Sequence, residues 1–396
     1  MSTGIFATTF SQVGVIGLYP FRFLFNNLTT TRLSLFTQLA NLPWNVKIFA
    51  GLVADSFPIL GTRRRLYLLF SAAAAALLWL AVGITRPLYW PLLGMAILMN
   101  LALVFASTVS GGLLVEAGQE HGATGRLSSL RVVSMNIAAF GVPLGALLAG
   151  RALGETALIA AVPLILLTFI TAWLLREPPT ARRDPRICGA LSGQLRACFR
   201  SRMLWAAAGL LFLVQFAPGL STPLFKYQTK TLGFGEGFIG LLTLIDALFG
   251  TLGALFYSYF CQRWPLRLLL YLSIGSTAAL SMIYMGYNGR KSAIAIEMVY
   301  SFWVYLAQLP LFDLAARATP KGSEALGYSI IISAWNWGLS VSDPLGSFLF
   351  DKAGKYLGMA AAFKHLVWIN AATTALVLIA IPFLPRVLVD RREQEA

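Results

Sequence analysis

The sequence predicts an all-α membrane protein, twelve transmembrane helices arranged as two pseudo-symmetric six-helix bundles, on three observations. Hydrophobic residues make up 57% of the 396 and charged residues only 12%, so a water-facing globule would carry far too much apolar surface. Apolar runs near the ~20 residues needed to cross a bilayer recur along the chain between clusters of Gly, Pro and charge. The chain also repeats itself. Val142-Pro143-Leu144-Gly145 aligns with Asp343-Pro344-Leu345-Gly346, and Glu116 aligns with Asp313, each at the end of the preceding apolar run.

Taken in order, the first run, 4–25, has no basic leader or cleavage site ahead of it, so it is expected to stay in the chain rather than leave as a signal. The runs 33–54 and 66–85 flank an Arg-rich turn, and 90–115, 127–149 and 156–175 complete an N-terminal bundle, 1–175. Residues 176–202 are the one long polar interruption, with Pro178-Pro179, Pro185 and seven arginines, and read as a basic cytoplasmic linker. The runs 203–225, 236–260, 266–286, 292–315, 326–350 and 360–384 make a C-terminal bundle, 203–385, followed by a cytoplasmic tail, 386–396. Of the 31 Lys and Arg, 18 fall on the side of the linker and both termini, 10 on the other and three within runs. The positive-inside rule then places both termini in the cytoplasm of a plasma or bacterial inner membrane.

The net charge of +15 suits anionic headgroups and topology, not nucleic acid, because its cations collect in the loops. Cys188, Cys198 and Cys261 have no metal-type spacing and are expected as free thiols. His121 and His365 have no catalytic companions, and with no Ser-His-Asp or metal cluster the chain is expected to be neither an enzyme nor a cofactor protein. Asn27-Leu28-Thr29 matches a glycosylation sequon but sits tight against the membrane.

The stretch Leu42–Tyr67 sets an apolar helix against a charged turn. Ala50, Gly51 and Ala54 let a neighbouring backbone approach, Asp55 stands where the helix leaves the bilayer, and Gly61 precedes Arg63-Arg64-Arg65. This pattern resembles the loop signature between the second and third helices of the major facilitator superfamily. The finer spelling, Pro43-Trp44, Lys47, Gly51, Asp55-Ser56-Phe57-Pro58-Ile59, Gly61 and Arg63-Arg64-Arg65-Leu66-Tyr67, resembles the folate-biopterin transporter family within it. So does Asp313-Leu-Ala-Ala-Arg317-Ala-Thr-Pro320-Lys321-Gly322-Ser-Glu324. The resemblance implies the major facilitator fold and alternating-access transport of a small molecule of the folate or pterin class, with protons as the coupling partner. A monomer or weak oligomer in the lipid bilayer is expected.

Independently of that resemblance, an ionisable group in the bilayer core costs about 2.5–3.5 kcal/mol on insertion scales, so each marks a place to look for function. Asp246 lies mid-way along the eighth run and reads as a proton-titrating carboxylate or an acceptor for an amino-substituted ring; a structural bond to a neighbouring helix is the alternative. Lys47 and Arg131 offer cations to a substrate's carboxylates, with snorkelling or pairing to Asp55 as the alternative for Lys47. Arg22 reads as a further cation or an interfacial anchor, and Glu297 and Asp343 add to an acidic second half. Asn136, Gln215 and Asn336 offer polar contacts, and Trp335 a flat face beside Asn336, although Trp335 and Trp337 do not share a helix face.

Asp55, Arg63, Arg64, Arg65, Glu116, Asp313 and Arg317 read as parts of a cytoplasmic gate, since a carboxylate at a helix C-terminus needs a cation to offset the dipole. A fixed structural clasp is the alternative. For function, the alternatives to folate or pterin cargo are another amphipathic metabolite, nucleoside-like or S-adenosylmethionine-like, and a non-transporting polytopic sensor.

Overall fold

A computed structural model describes residues 2–56, 59, 62, 64–120, 134–175, 193, 195–257, 265–320 and 324–385. Its elements are α1 (Ser2–Phe10), α2 (Leu18–Leu24), α3 (Thr30–Asn45), α4 (Lys47–Ser56), α5 (Arg65–Ile84), α6 (Tyr89–Glu120), α7 (Gly141–Leu148), α8 (Leu153–Leu174), α9 (Arg202–Phe216), α10 (Ser221–Lys226), α11 (Glu236–Tyr257), α12 (Leu266–Ser281), α13 (Arg290–Arg317), α14 (Glu324–Leu357) and α15 (Met359–Leu376). Eight stretches among the described residues are long and apolar enough to cross a membrane, from Arg65–Ile84 to Met359–Phe383.

The chain forms two compact units. One comprises Met1–Asn27, Leu39–Ile187 and Glu236–Gly240; the other comprises Leu28–Gln38, Cys188–Gly235 and Leu241–Ala396. Helix α3 therefore begins in the second unit and ends in the first, and α11 does the reverse.

Several runs expected as single helices are broken, each for a local reason. The first, 4–25, divides at Ser11–Gly17 into α1 and α2; Gly14 and Gly17 disfavour a helix there. The second starts at Thr30, earlier than expected, and breaks at Val46, just beyond Pro43. Pro43 has no N–H for the carbonyl one turn back, and its ring crowds that carbonyl. The seventh divides at Ala217-Pro218-Gly219-Leu220 before α10 and a π-helical turn, Tyr227–Thr231. The fourth and eleventh run longer than expected, to Glu120 and from Glu324 to Leu357.

In lipid, burying an apolar side chain against another helix gains little hydrophobic free energy, so close backbone contact and polar bonds hold the helices together. Ala50 and Ala54, expected to allow such approach, are buried where α4 meets α6. The sequence repeat has the same purpose in both units. A Cβ on Gly145 of α7 would overlap the carbonyl of Ile16 in the broken first helix, and one on Gly346 of α14 would overlap the carbonyl of Gly219 in the broken seventh. Pro-Leu-Gly thus recurs because each unit packs one helix backbone-to-backbone on the break of another.

Gly145→Ala and Gly346→Ala are each expected to cost about 1–3 kcal/mol of overpacking, lowering the thermal midpoint of the detergent-solubilised protein. Gly94→Ala in α6, with no atom within 4 Å of the added carbon, should leave that midpoint unchanged or raise it.

Candidate functional site

In the first unit, the break after Pro43 puts Trp44 and Lys47 on adjoining turns beside α6. The Lys47 ammonium donates to Ser107 Oγ at 2.8 Å and lies 5.2 Å from the Trp44 ring centroid, a cation–π distance. Trp44 Nε1 donates to Asn100 Oδ1 at 3.3 Å, and fully buried Asn100 donates to the Ala40 carbonyl at 2.6 Å. Lys47 is thus turned onto the neighbouring helix rather than along its own toward the membrane surface. Arg22, weighed as an interfacial anchor, is only 4% exposed and lies buried against the protein.

In the second unit, Asp246 of α11 is half-buried and accepts from Ser301 Oγ of α13 at 2.6 Å; the Tyr305 hydroxyl lies near the same carboxylate. Glycines make this crossing close: a Cβ at Gly250 would meet the Tyr305 ring, and one at Gly253 the Phe302 carbonyl. One turn before Ser301, Glu297 accepts from the Tyr287 hydroxyl at 3.4 Å. Tyr287 in turn accepts from Gln228 Nε2 at 2.6 Å.

Asp343, expected as part of an acidic second half, holds the restart of the seventh helix. Its carboxylate accepts from the Thr222 amide at 2.9 Å, from Thr222 Oγ1 at 2.6 Å and from Ser34 Oγ at 2.5 Å. Two turns further along α14, Asp351 accepts from the Thr30 and Thr31 amides, at 3.2 and 2.8 Å, and from Thr31 Oγ1 at 2.7 Å. Both carboxylates cap the start of another helix, where free amides and the positive end of the dipole favour an anion. Lys226 Nζ donates to the Leu28 carbonyl at 2.6 Å. The segment 28–34 is thereby tied to α10 and α14 within this unit.

The other expected residues scatter. Arg63 and Arg131 lie outside the described residues, as do the side chains of Asp55 and Glu116, together with Cys188, Cys261 and His121. Asn136 is exposed, while Gln215 and Asn336 are half-buried. Trp335 is buried with its ring centroid 5.2 Å from that of Phe312. Arg64 packs beside Gly112, and Arg65 donates to the Ala172 carbonyl at 2.7 Å, a cation at the end of α8. Asp313 and Arg317 form the expected i, i+4 pair, bonded at 3.0 and 2.8 Å. Cys198 is a buried thiol outside any disulfide, and His365 is exposed.

Sequence reasoning missed Asn100 and Ser107, which have no neighbours in sequence to betray them. It also missed Ser301, Tyr305 and Tyr287. The four-residue spacing of Glu297, Ser301 and Tyr305 was a signal for the first two.

Asp351→Ala removes the acceptor from two amides at the start of α3, a loss of about 1 kcal/mol for a helix cap. Hydrogen exchange in the peptide spanning 28–34 should quicken by roughly fivefold, with α5 unchanged as the internal control.

The profile of the BT1 family matches residues 16–396. The chain is similar to the folate-biopterin transporter of Synechocystis sp., 25% identical over 365 residues that cover 86% of this chain and 72% of that one. It is similar to probable folate-biopterin transporter 7 of Arabidopsis thaliana, 23% identical over 88% and 84% of the two chains. Folate transporter 2 of Plasmodium falciparum is 24% identical over 81% and 73%. Among solved structures, a D-xylose–proton symporter superposes with a TM-score of 0.69 at 14% identity, covering 97% of both chains. A bacterial homologue of the human lysosomal transporter Spinster, in an inward-facing and unoccupied conformation, gives 0.71 at 14% over 97% and 94%. These superpositions, with the helices above, identify the major facilitator fold. Matched from residue 16 to residue 396, the chain belongs to the BT1 family.

Proposed function

We infer that this multi-pass membrane protein is a secondary transporter of folate- or pterin-type compounds, working by alternating access and driven by protons. The support for cargo is the family and the names of its relatives. The observation that carries the reading on this chain's own residues is that a lysine and an aspartate stand in apolar helices, each bonded to a hydroxyl of another helix. Lys47 bonds Ser107, and Asp246 bonds Ser301. Such groups are costly unless they face the interior or a wet cavity.

In this reading Lys47 and Arg131 meet the carboxylates of a glutamate tail. Asp246, Gln215, Asn136, Asn336 and Trp335 receive the ring, and Asp246 also carries the proton. Asp55 with Arg63, Arg64 and Arg65, Glu116, and Asp313 with Arg317 form a cytoplasmic gate that is made in one state and broken in the other. Both termini lie in the cytoplasm.

Purified protein in liposomes should accumulate folate under an inward proton gradient and lose that accumulation when the gradient is collapsed. No folate entry under either condition, with entry of a nucleoside or of S-adenosylmethionine, would overturn the cargo. Lys47→Ala should weaken uptake of folate by roughly tenfold or more, the loss of one charge-assisted hydrogen bond, and that of an unconjugated pterin far less. Equal losses would remove the tail-binding role.

A further inference from the structure

Helix α13 carries Glu297, Ser301 and Tyr305 at four-residue intervals, which places them on one stripe. Every polar group on that stripe points to a carboxylate or is one. Ser301 bonds Asp246 and Tyr305 lies near it, and Glu297 bonds Tyr287.

Glu297 is 9% exposed and Ser301 and Tyr287 are sealed, at 0% and 1%. Tyr284 and Tyr300, with ring centroids 4.6 Å apart, pack in the same cluster. Asp246, half-buried, is the more open end.

The groups near the two acids are Ser301, Tyr305, Tyr287, Tyr284, Tyr300 and one another. Among the described residues, no lysine or arginine forms an ion pair with either carboxylate. Two like charges near one another, one of them sealed from water, cannot both ionise cheaply.

We propose that Glu297 and Asp246 together form a proton-binding site, the pair holding one proton at rest and taking up and releasing a second in each transport cycle. On uptake, hydronium reaching the open end gives its proton to a carboxylate oxygen and leaves as water, and the pair passes from one negative charge to none. Release reverses both changes. Glu297 thereby joins Asp246 as a coupling group, and the tyrosine shell around it keeps water and stray cations out. This proposal rests on the proton-driven reading above.

The test uses full-length protein in liposomes, wild type against Glu297→Gln, Asp246→Asn and the double variant, with folate as the probe. Two fluxes are measured: accumulation under an imposed gradient of about one pH unit, and exchange of internal for external folate at equal pH. One pH unit can drive about tenfold accumulation for each proton. Glu297→Gln is expected to fall to no accumulation while exchange stays within about twofold of wild type. An infrared pH titration of each purified protein reads the protonated-carboxyl band directly, and that band should diminish in Glu297→Gln.

Wild-type accumulation by Glu297→Gln, or an unchanged carboxyl band, overturns the proposal. Should exchange be lost as well, the infrared band of the folded variant decides. If wild type accumulates nothing under a gradient, it is the proton-driven reading that fails, and the band still shows whether Glu297 binds a proton.

Discussion

The bilayer offers no water to a backbone amide or carbonyl, and the rest of this structure depends on that constraint. Both units contain a helix that stops and restarts, and each break is answered by neighbouring helices. In the first unit, Trp79 Nε1 donates to the Ser11 carbonyl at 2.8 Å and Ser11 Oγ donates to the Ala160 carbonyl at 2.7 Å. In the second, the Gly219 amide donates to the Ser342 carbonyl at 2.8 Å. Ser342 Oγ returns to the Ala217 carbonyl at 2.5 Å, and Asn370 Nδ2 reaches the Pro218 carbonyl at 2.9 Å. In the second unit these bonds explain why glycine stands at 346, since only without a side chain there can α14 come close enough to share in the repair; Gly145 brings α7 equally close to the first break.

The same constraint governs the charged groups. Asp343 and Asp351 are tolerated in α14 because each satisfies amides that would otherwise be free. Their negative charge is met by the N-terminal ends of α10 and α3. Asp246 and Glu297 differ, since their partners are hydroxyls that neutralise nothing. These four acids therefore fall into two kinds by their surroundings: caps, whose charge is spent on holding helices, and two carboxylates bonded by hydroxyls. Lys47 stands in the first unit on a break made by Pro43, where Trp44 and Ser107 fix its direction.

Much of the fold was legible because its signal is additive. Twenty apolar residues announce a membrane helix whatever their order, and the Pro-Leu-Gly repeat marked the correspondence of Gly145 with Gly346. What was not legible was where helices break, since a run such as 4–25 remains apolar across its interruption at Ser11–Gly17. For the candidate site, single ionisable residues stand out against the apolar background, so Asp246 and Lys47 were legible as candidates. Their partners were not, because Ser107 and Ser301 are ordinary residues whose importance comes from helix crossings far apart in sequence. Asp343 shows a further limit: that it caps a helix depends on which amides lie opposite it, which the sequence does not display.

The central claim is that Asp246 and Lys47 are kept inside hydrocarbon because water and solute reach them. Single cysteines at 246 and 47, in a background lacking Cys188, Cys198 and Cys261, can be exposed in sealed liposomes to a charged, membrane-impermeant thiol reagent. The account predicts reaction at both positions and its slowing by folate. Absence of reaction at either, with ready labelling by an apolar reagent dissolved in the lipid, would contradict it.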